Sequence, residues 1–327
     1  MNVAIKGLGT YLPEKILTNH DLEKLVDTSD EWITTRTGIK QRHIAAEGEN
    51  ASDMGAVAAE IAMQDAGVTA EDIDMIVLGT ITPDQLLPST ACFVQEKIGA
   101  TNAFAFDVQS ACSGFIYCTS IAEQYIKAGT VKTALVINTE KLSSVTNWAD
   151  RETCVLFGDG ASAVVLQQAE DGEKGIMSSI LKSDGAYTHL LEIKNGGSNT
   201  PLTVNNVEEM MHKITMSGRE VFKLAVSRMT AVGKEALEQA GVDLEDIKYV
   251  IPHQANMRII SSIASRLKLD VEKDLYNNLP LVGNTSGVSI PLALADGMAK
   301  GHIKKGDKLL FVAFGGGLTW GGMVVEI

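Results

Sequence analysis

The feature that most constrains this chain is an internal duplication. Residues 62–73 (AMQDAGVTAEDI) recur as residues 236–247 (ALEQAGVDLEDI), so that corresponding positions are 174 residues apart. Each copy is typical of a helix that ends at a glycine, followed by an acidic turn and a strand. A weaker repeat relates the Ser-Gly pair at Ser113 to the pair at Ser286, at an offset of 173 residues. Two repeats in the same order at nearly one offset indicate two related halves.

Apolar, β-branched runs alternate with helical patterns along both halves. Strand–helix alternation of this kind predicts parallel sheets covered by helices. Two such halves predict a five-layered α/β/α/β/α sandwich, which we divide into residues 1–172 and 173–327. The pattern over residues 113–128 is apolar nearly all round, so we expect this helix to be buried in the central layer. Residues 182–215 are the least regular stretch, and we expect a surface loop or hairpin there.

Composition bounds the class of protein. The chain has 327 residues, 45% of them hydrophobic, which is enough for two domains with a large core. No apolar run is long enough to cross a membrane. The net charge of −13 argues against a nucleic-acid partner. Four cysteines show no paired metal-binding spacing, and the first residues are typical of a strand rather than a leader. We therefore expect a metal-free protein of the reducing cytoplasm.

Three predicted strand-to-loop junctions each carry one reactive polar residue. Cys112 lies in the run SACSG, His253 in PHQAN and Asn284 in GNTSG. A thiolate is a strong nucleophile, and an imidazole and an amide can stabilise developing negative charge. The convergence of these residues would predict acyl chemistry. Because Cys112 lies at the start of the buried helix, we expect the helix dipole and backbone N–H groups to lower its pKa.

The chain order Cys, His, Asn is also that of papain-like cysteine proteases. The residues around Cys112 read ACSGF, however, and the protease sequence CGSCW is absent. The strand-like N-terminus and the internal duplication also disfavour a protease.

Seven groups of residues in order make the chain resemble the β-ketoacyl-acyl-carrier-protein synthase III family, thiolase-fold enzymes that initiate bacterial fatty acid synthesis. They are TSDEWI (28–33) with RTGI (36–39), ACSGF (111–115), FGDGA (157–161), GREVFK (218–223), HQAN (253–256), GNTS (283–286) and FGGGLTWG (314–321). The resemblance covers nearly the whole chain. It implies a thiolase-like fold, a homodimer, and a reaction without metal or cofactor.

The resemblance implies a condensation in two half-reactions. Cys112 would attack a short acyl-CoA primer, and malonyl carried on acyl carrier protein would then lose CO2 and attack the acylated cysteine. Decarboxylation needs no base, because the electrons of the broken bond form the enolate. His253 Nε2–H and the Asn284 amide would stabilise that enolate. The tetrahedral intermediate at the cysteine would bind the backbone N–H groups of Cys112 and Gly316.

The resemblance also assigns binding residues. Those that would contact CoA are Thr28, Trp32, Arg36, Arg151 and Asn256. The primer pocket would include Phe157 and Leu87, and the position of Leu87 reaches across the dimer in the family. Because acyl carrier proteins and this chain are both acidic, docking would need a local basic patch at Lys223 and Arg258.

Two positions depart from the family pattern. Val288 stands where many relatives have alanine, so we expect a reshaped floor of the site. Leu87 stands where phenylalanine is frequent, so we expect room for primers longer or more branched than acetyl.

Sister enzymes remain as alternatives. A 3-oxoacyl synthase of secondary metabolism would share these residues. A hydroxymethylglutaryl-CoA synthase would need a glutamate ahead of Cys112, where residues 78–84 (LGTITPD) offer none. An elongating synthase would need a second histidine at Asn284, and a degradative thiolase would need a cysteine beyond Cys154. A non-catalytic acyl-binding partner would usually lack the nucleophile.

Overall fold

The computed structural model describes all residues, 1–327. The strands are β1 (Val3–Tyr11), β2 (Lys15–Thr18), β3 (Gln41–Ile44), β4 (Met75–Gly79), β5 (Phe104–Val108), β6 (Thr133–Glu140), β7 (Gly160–Gln168), β8 (Ile176–Ser183), β9 (Leu191–Glu192), β10 (Thr215–Met216), β11 (Tyr249–Pro252), β12 (Lys308–Gly315) and β13 (Thr319–Glu326). The α-helices are α1 (Asn19–Leu22), α2 (Asp30–Thr37), α3 (Ala51–Ala66), α4 (Thr90–Ile98), α5 (Gly114–Lys127), α6 (Arg151–Cys154), α7 (Gly218–Ala240), α8 (Met257–Leu267), α9 (Leu279–Val282) and α10 (Ser289–Ala299). None of them has the length and apolar character needed to span a bilayer.

Two larger sheets organise these elements, with strand orders β1-β7-β6-β4-β5 and β11-β12-β13-β8. The expectation of parallel sheets is wrong, because both sheets are mixed. Strand β4 runs parallel to β5 and β6, but β7 is antiparallel to β6 and β1. In the second sheet β11 and β12 are parallel, while β13 is antiparallel to β12 and β8. Strand–helix alternation reveals crossover connections only, and direct strand returns such as β12 to β13 leave no such pattern.

Three buried clusters place the helices in layers. One cluster joins α3 and α4 to the first sheet, and another joins α7 and α8 to the second. The third lies between the sheets and contains residues of α5 and α10, among them Phe115, Ile116 and Leu294. The five-layered thiolase-like sandwich is therefore confirmed, with α5 in its central layer. Strands of the first sheet end at Gln168 and those of the second begin at Ile176, while the division into halves at residue 172 stays a prediction.

The duplicated segments have the same local structure. Helices α3 and α7 end at Gly67 and Gly241, which adopt left-handed φ angles of 67° and 64°. Glycine suits this position because it has no Cβ to clash. A short 3-10 turn and a strand, β4 or β11, follow in each copy.

The irregular stretch 182–215 is only in part a surface loop. Its start belongs to β8, and β9 pairs with β10 at its far end. Leu190 and Ile214 are buried in the same cluster as α7, whereas Val204 in the middle is 89% exposed. The antiparallel β9–β10 pair fits the hairpin alternative, whereas the expected surface position is wrong at both ends, because apolar residues there pack against the core.

Candidate active site

Cys112 lies where two cavities meet. The larger, about 870 Å³, also has His253, Asn284 and Phe314 in its wall. The smaller, about 360 Å³, is lined by Cys112, Ser286 and Gly316 together with apolar side chains. The structure thus brings the three polar residues, which come from separate parts of the chain, to one cavity.

Two related corners hold this arrangement. The 3-10 turn Ala111–Ser113 precedes α5, and the 3-10 turn Ser286–Val288 precedes α10. Each turn begins with a residue other than glycine at positive φ, 48° for Ala111 and 54° for Ser286. A Cβ added to Gly287 would lie 3.3 Å from the Ala111 carbonyl oxygen, so the two corners pack closely. The two equivalent corners of the duplicated halves therefore pack against each other beside the nucleophile.

The environment of Cys112 contradicts the expected lowering of its pKa. Burial is the largest influence and raises the pKa of the Cys112 thiol to about 12, although a nearby Ser286 hydroxyl lowers it. The negative charge of Glu140 raises it further. Desolvation outweighs the polar end of the helix in this setting. The thiol is therefore protonated at rest and must lose its proton as it reacts.

His253 is held neutral in a defined orientation. Burial lowers the pKa of His253 to about 3. Its Nδ1 lies 2.7 Å from Ser289 Oγ, which also accepts the Gln254 backbone N–H at 3.2 Å. The Ser289 hydroxyl hydrogen is thus free to donate to Nδ1, and this assignment puts the ring proton on Nε2. A neutral ring with a proton on Nε2 can donate one hydrogen bond into the cavity.

Asn284 is fixed by both its backbone and its side chain. The Asn284 N–H donates to the Leu156 carbonyl at 2.9 Å, and its carbonyl accepts the Gly158 N–H at 3.0 Å. Its side-chain Oδ1 accepts the Ser286 N–H at 2.9 Å. Because the acceptor oxygen is occupied, the amide NH2 group is the end available to a ligand.

The triple-glycine turn packs directly against the nucleophile. A Cβ at Gly315 would lie 2.6 Å from the Cys112 backbone nitrogen, so only glycine fits without movement. Thr319 Oγ1 donates to the Ser110 carbonyl at 2.8 Å and ties the β12–β13 hairpin to the same corner. The Gly316 N–H donates to no protein group, which leaves it available to an oxyanion.

The FGDGA run holds the wall of the site together. The Asp159 carboxylate accepts hydrogen bonds from the Ala45 N–H at 2.8 Å, the Ser143 N–H at 2.8 Å and the Ser143 hydroxyl at 2.6 Å. A Cβ at Gly158 would lie 2.6 Å from the Val282 carbonyl oxygen. These contacts give the run a structural role beside the site.

The residues assigned to CoA lie only in part along the larger cavity. Two guanidinium groups lie over the Trp32 ring, with Arg151 4.8 Å and Arg36 5.7 Å from the ring centroid. Trp32, Arg36 and Asn256 line the larger cavity, whereas Arg151 and Thr28 do not. The Asn256 side chain accepts the Arg258 N–H at 2.8 Å and caps α8. The Thr28 hydroxyl is buried without a hydrogen-bond partner.

Basic residues outnumber acidic ones around the same mouth. The basic residues that line the larger cavity are Arg36, Arg219, Lys223 and Arg258, against Glu152 and Glu220. Arg258 also lies 5.5 Å above the ring of Phe222. The overall charge of −13 therefore does not extend to this opening.

Comparison with known proteins decides the family. The family models described as 3-Oxoacyl-[acyl-carrier-protein (ACP)] synthase III and its C-terminal domain match residues 106–185 and 237–327. Beta-ketoacyl-[acyl-carrier-protein] synthase III of Caldanaerobacter subterraneus subsp. tengcongensis is 52% identical over 322 residues, covering 98% of this chain and 97% of that protein. The chain belongs to the β-ketoacyl-acyl-carrier-protein synthase III family. It is an acyl-transferring condensing enzyme of fatty acid synthesis.

Solved structures agree with this synthase III assignment. The crystal structure of 3-oxoacyl-[acyl-carrier-protein] synthase III from Aquifex aeolicus superposes with a TM-score of 0.92 at 47% identity and covers 100% of both chains. The priming β-ketosynthase of a polyketide biosynthetic pathway also superposes with a TM-score of 0.92, at 32% identity, over 100% of this chain and 96% of that one.

Val288 and Leu87, the two residues that depart from the synthase III pattern, differ in burial. Val288 is fully buried and lines neither cavity, and its effect on the floor of the site stays a prediction. Leu87 is 82% exposed and also lines neither cavity of its own chain, whereas Phe157 lines both.

Sequence reasoning missed several residues of the synthase III site. Ser289 orients His253, but a serine at the start of a helix is usually a cap and does not signal a histidine partner. Leu191, Ile193 and Ile214 line the smaller cavity and come from the stretch interpreted as a surface loop. The alternation of apolar and polar residues near β9 was the one sequence pattern that could have indicated their burial.

Proposed function

We propose that this synthase condenses a short acyl-CoA primer with malonyl-acyl carrier protein, and that Cys112, His253 and Asn284 carry the chemistry. The position of Cys112 at the junction of two cavities is the observation that carries the proposal. A pantetheine arm in the larger cavity would present its thioester to the sulfur. The acyl group would enter the smaller cavity.

In the first half-reaction the Cys112 sulfur forms a bond to the thioester carbonyl carbon. The oxygen becomes negative and binds the backbone N–H groups of Cys112 and Gly316. The unpaired Gly316 N–H supports this role. Collapse of the intermediate releases CoA and leaves an acyl-cysteine.

In the second half-reaction the malonyl group loses CO2, and its thioester oxygen becomes an enolate oxygen. The His253 Nε2–H and the Asn284 amide NH2 group donate to that oxygen. A histidine that stays neutral is suited to donation, and the Asn284 amide is oriented because Ser286 occupies its other end. The enolate carbon then attacks the acyl-cysteine and gives 3-oxoacyl-acyl carrier protein.

The mouth of the larger cavity would bind the carriers. Trp32 would stack on the CoA adenine between Arg36 and Arg151, with Thr28 and Asn256 as polar contacts. Lys223 and Arg258 are exposed and form no ion pair within the chain, so both are available to an acidic carrier protein. None of these steps uses a metal or cofactor.

We further propose that the synthase works as a homodimer in the cytoplasm. Strand β5 is an edge strand, and its Phe104 is 45% exposed beside Tyr125 at 40%. Leu86 and Leu87 are 89% and 82% exposed on the loop that follows β4, and Ile81 of the same loop lines the smaller cavity. Exposed apolar groups of this size mark an interface, where Leu87 would close the primer pocket of the partner. All four cysteines are free, as a nucleophilic thiol in a reducing compartment requires.

Intact mass after mixing with acyl-CoAs tests the proposal. The panel runs from acetyl to branched five-carbon primers, and a single acyl adduct should form. The adduct should disappear in Cys112→Ser and persist in Cys92→Ser, a control at a half-buried free cysteine. No adduct with any primer would overturn Cys112 as an acyl-CoA nucleophile, and the strongest labelling would identify the preferred primer.

A further inference from the structure

Arg42 is a fully buried cation that the proposed steps do not use. It lies in β3 and is 0% exposed. Its guanidinium donates to three uncharged oxygens, namely the Leu17 carbonyl at 3.2 Å, Asn19 Oδ1 at 2.9 Å and the Val155 carbonyl at 2.7 Å. Buried arginines are usually paired directly with an acid. The partners of Arg42 therefore indicate a role beyond neutralising a charge.

Asn19 connects Arg42 to the helix that carries Trp32 and Arg36. Asn19 is 1% exposed, and its Oδ1 accepts the guanidinium. Its amide NH2 group donates to Asp30 Oδ1 at 2.9 Å and to the Ile39 carbonyl at 2.8 Å. The first of these residues begins α2, and the second lies just beyond its C-terminal end. One buried amide thus holds both ends of α2, and its orientation is fixed by the buried cation.

The stem of Arg42 packs against the reactive end of the site. A Cβ added to Gly158 or Gly283 would lie 3.0 Å or 3.1 Å from the Arg42 Cβ, so both backbones approach the stem closely. These glycines adjoin Phe157 and Asn284, which are joined by an isolated bridge. Arg42 therefore contacts the frame of a reactive residue with its stem and holds α2 through its guanidinium.

The separation of these two ends matters because a CoA thioester would be bound at both. Trp32 and Arg36 of α2 line the same cavity as Cys112. The nucleotide would bind at the first two residues while the thioester reaches the sulfur through a pantetheine arm of limited length. A shift of α2 would misplace the thioester, and small misplacements of reacting groups are costly. A thioester that lacks the nucleotide would be insensitive to this shift.

We propose that Arg42 and Asn19 are positioning residues that hold α2 at the distance from Cys112 that a CoA thioester requires. The inference rests on the proposed CoA contacts of Trp32 and Arg36. Neither positioning residue touches the substrate, because both act through the helix. Through this pair the synthase favours an acyl group carried on CoA over the same acyl group carried on pantetheine alone.

The test compares self-acylation by acetyl-CoA and by acetyl-pantetheine, both below saturation and followed by intact mass. In the parent protein acetyl-CoA should react at least about tenfold faster, since the binding energy of a remote group is used at the reacting centre. In Arg42→Met, which keeps an apolar stem, and in Asp30→Ala, the rate with acetyl-CoA should fall by about tenfold. The rate with acetyl-pantetheine should stay within about twofold of the parent rate.

Two comparisons separate this role from general support of the fold. Thr34→Val removes a 3.3 Å contact to the Asn19 amide but leaves its bonds to Arg42 and Asp30, so it should keep the parent preference. Decarboxylation of malonyl-acyl carrier protein should keep the parent rate in all three variants, because that carrier has no adenine nucleotide. Circular dichroism confirms folding, and Asp30→Ala remains a test if Arg42→Met does not fold.

The outcomes are distinguishable. Equal losses with both thioesters would overturn the inference and assign Arg42 to supporting the fold alone. A parent-like preference for acetyl-CoA in the Arg42 and Asp30 variants would also overturn it. A parent protein that shows no preference for acetyl-CoA would contradict the proposed CoA contacts themselves and overturn the inference with them.

Discussion

The side-chain oxygen of Asn284 accepts the backbone N–H of Ser286 at 2.9 Å, so the asparagine that faces the cavity is oriented by the corner it belongs to. This bond leaves only donor hydrogens toward the substrate. The geometry of one amide therefore favours stabilising an anion over accepting a proton.

Asn284→Ala should impair decarboxylation much more than self-acylation. Loss of one donor to the enolate should slow malonyl decarboxylation by about 10²–10³-fold. Self-acylation should change by less than about tenfold, because that oxyanion binds backbone N–H groups. Release of CO2 from labelled malonyl-acyl carrier protein and intact mass measure the two steps separately. Equal losses in both would contradict the division of roles.

Ser289→Ala should weaken the orientation of His253 without changing its charge. The hydrogen bond to Nδ1 at 2.7 Å would be lost, and decarboxylation should slow by about 3–10-fold, as expected for a hydrogen bond of about 1 kcal/mol. Self-acylation should remain at the parent rate. Ser262→Ala, which removes a serine bonded only to the Arg258 carbonyl, is the matched control. A parent-like decarboxylation rate in Ser289→Ala would refute the orienting role.

Acid should destabilise the fold through His253. Its folded pKa of about 3 lies below the unfolded value of 6.5, so between these pH values the unfolded chain binds a proton that the folded chain does not. Stability from this group is complete above pH 6.5 and falls as the pH is lowered, by at most about 1.4 kcal/mol per pH unit. Urea unfolding at pH 7, 6 and 5 should show a smaller pH dependence for His253→Gln.

Gly315→Ala should disturb the nucleophile while sparing CoA binding. The new Cβ would meet the Cys112 nitrogen at 2.6 Å and the Ser110 carbonyl oxygen at 3.1 Å, both of them backbone atoms that cannot rotate away. We expect kcat to fall by at least about tenfold, since small misplacements of reacting groups are costly. Gly185→Ala, where nothing lies within 4 Å of the added Cβ, should behave as the parent. Steady-state kinetics of both variants make the comparison, and unchanged kcat in Gly315→Ala would contradict the close packing.

Much of the fold could be predicted from local sequence patterns. The duplicated helix–turn–strand segments predicted two related halves, and the apolar helix after Cys112 predicted its central layer. Cys112 and His253 follow β5 and β11 as predicted, but the strand-to-loop junction predicted at Asn284 is wrong, because Asn284 follows helix α9 and forms an isolated bridge to Phe157.

Features set by distant contacts could not be predicted in this way. Sequence spacing does not show how far the surrounding chain desolvates the Cys112 thiol, so the predicted sign of its pKa shift was wrong. The antiparallel directions of β7 and β13 leave no periodic pattern in the sequence.

The segment around β9 forms a wall of the smaller cavity and is separate from the corners that carry the reactive groups. The reactive groups lie on closely packed corners. Leu191, Ile193 and Ile214 belong instead to a segment whose middle is exposed, and exposed loops tolerate changes of length better than packed elements do. If the smaller cavity holds the primer as proposed, changes in this segment would alter the choice of starter unit and leave the reactive corners in place.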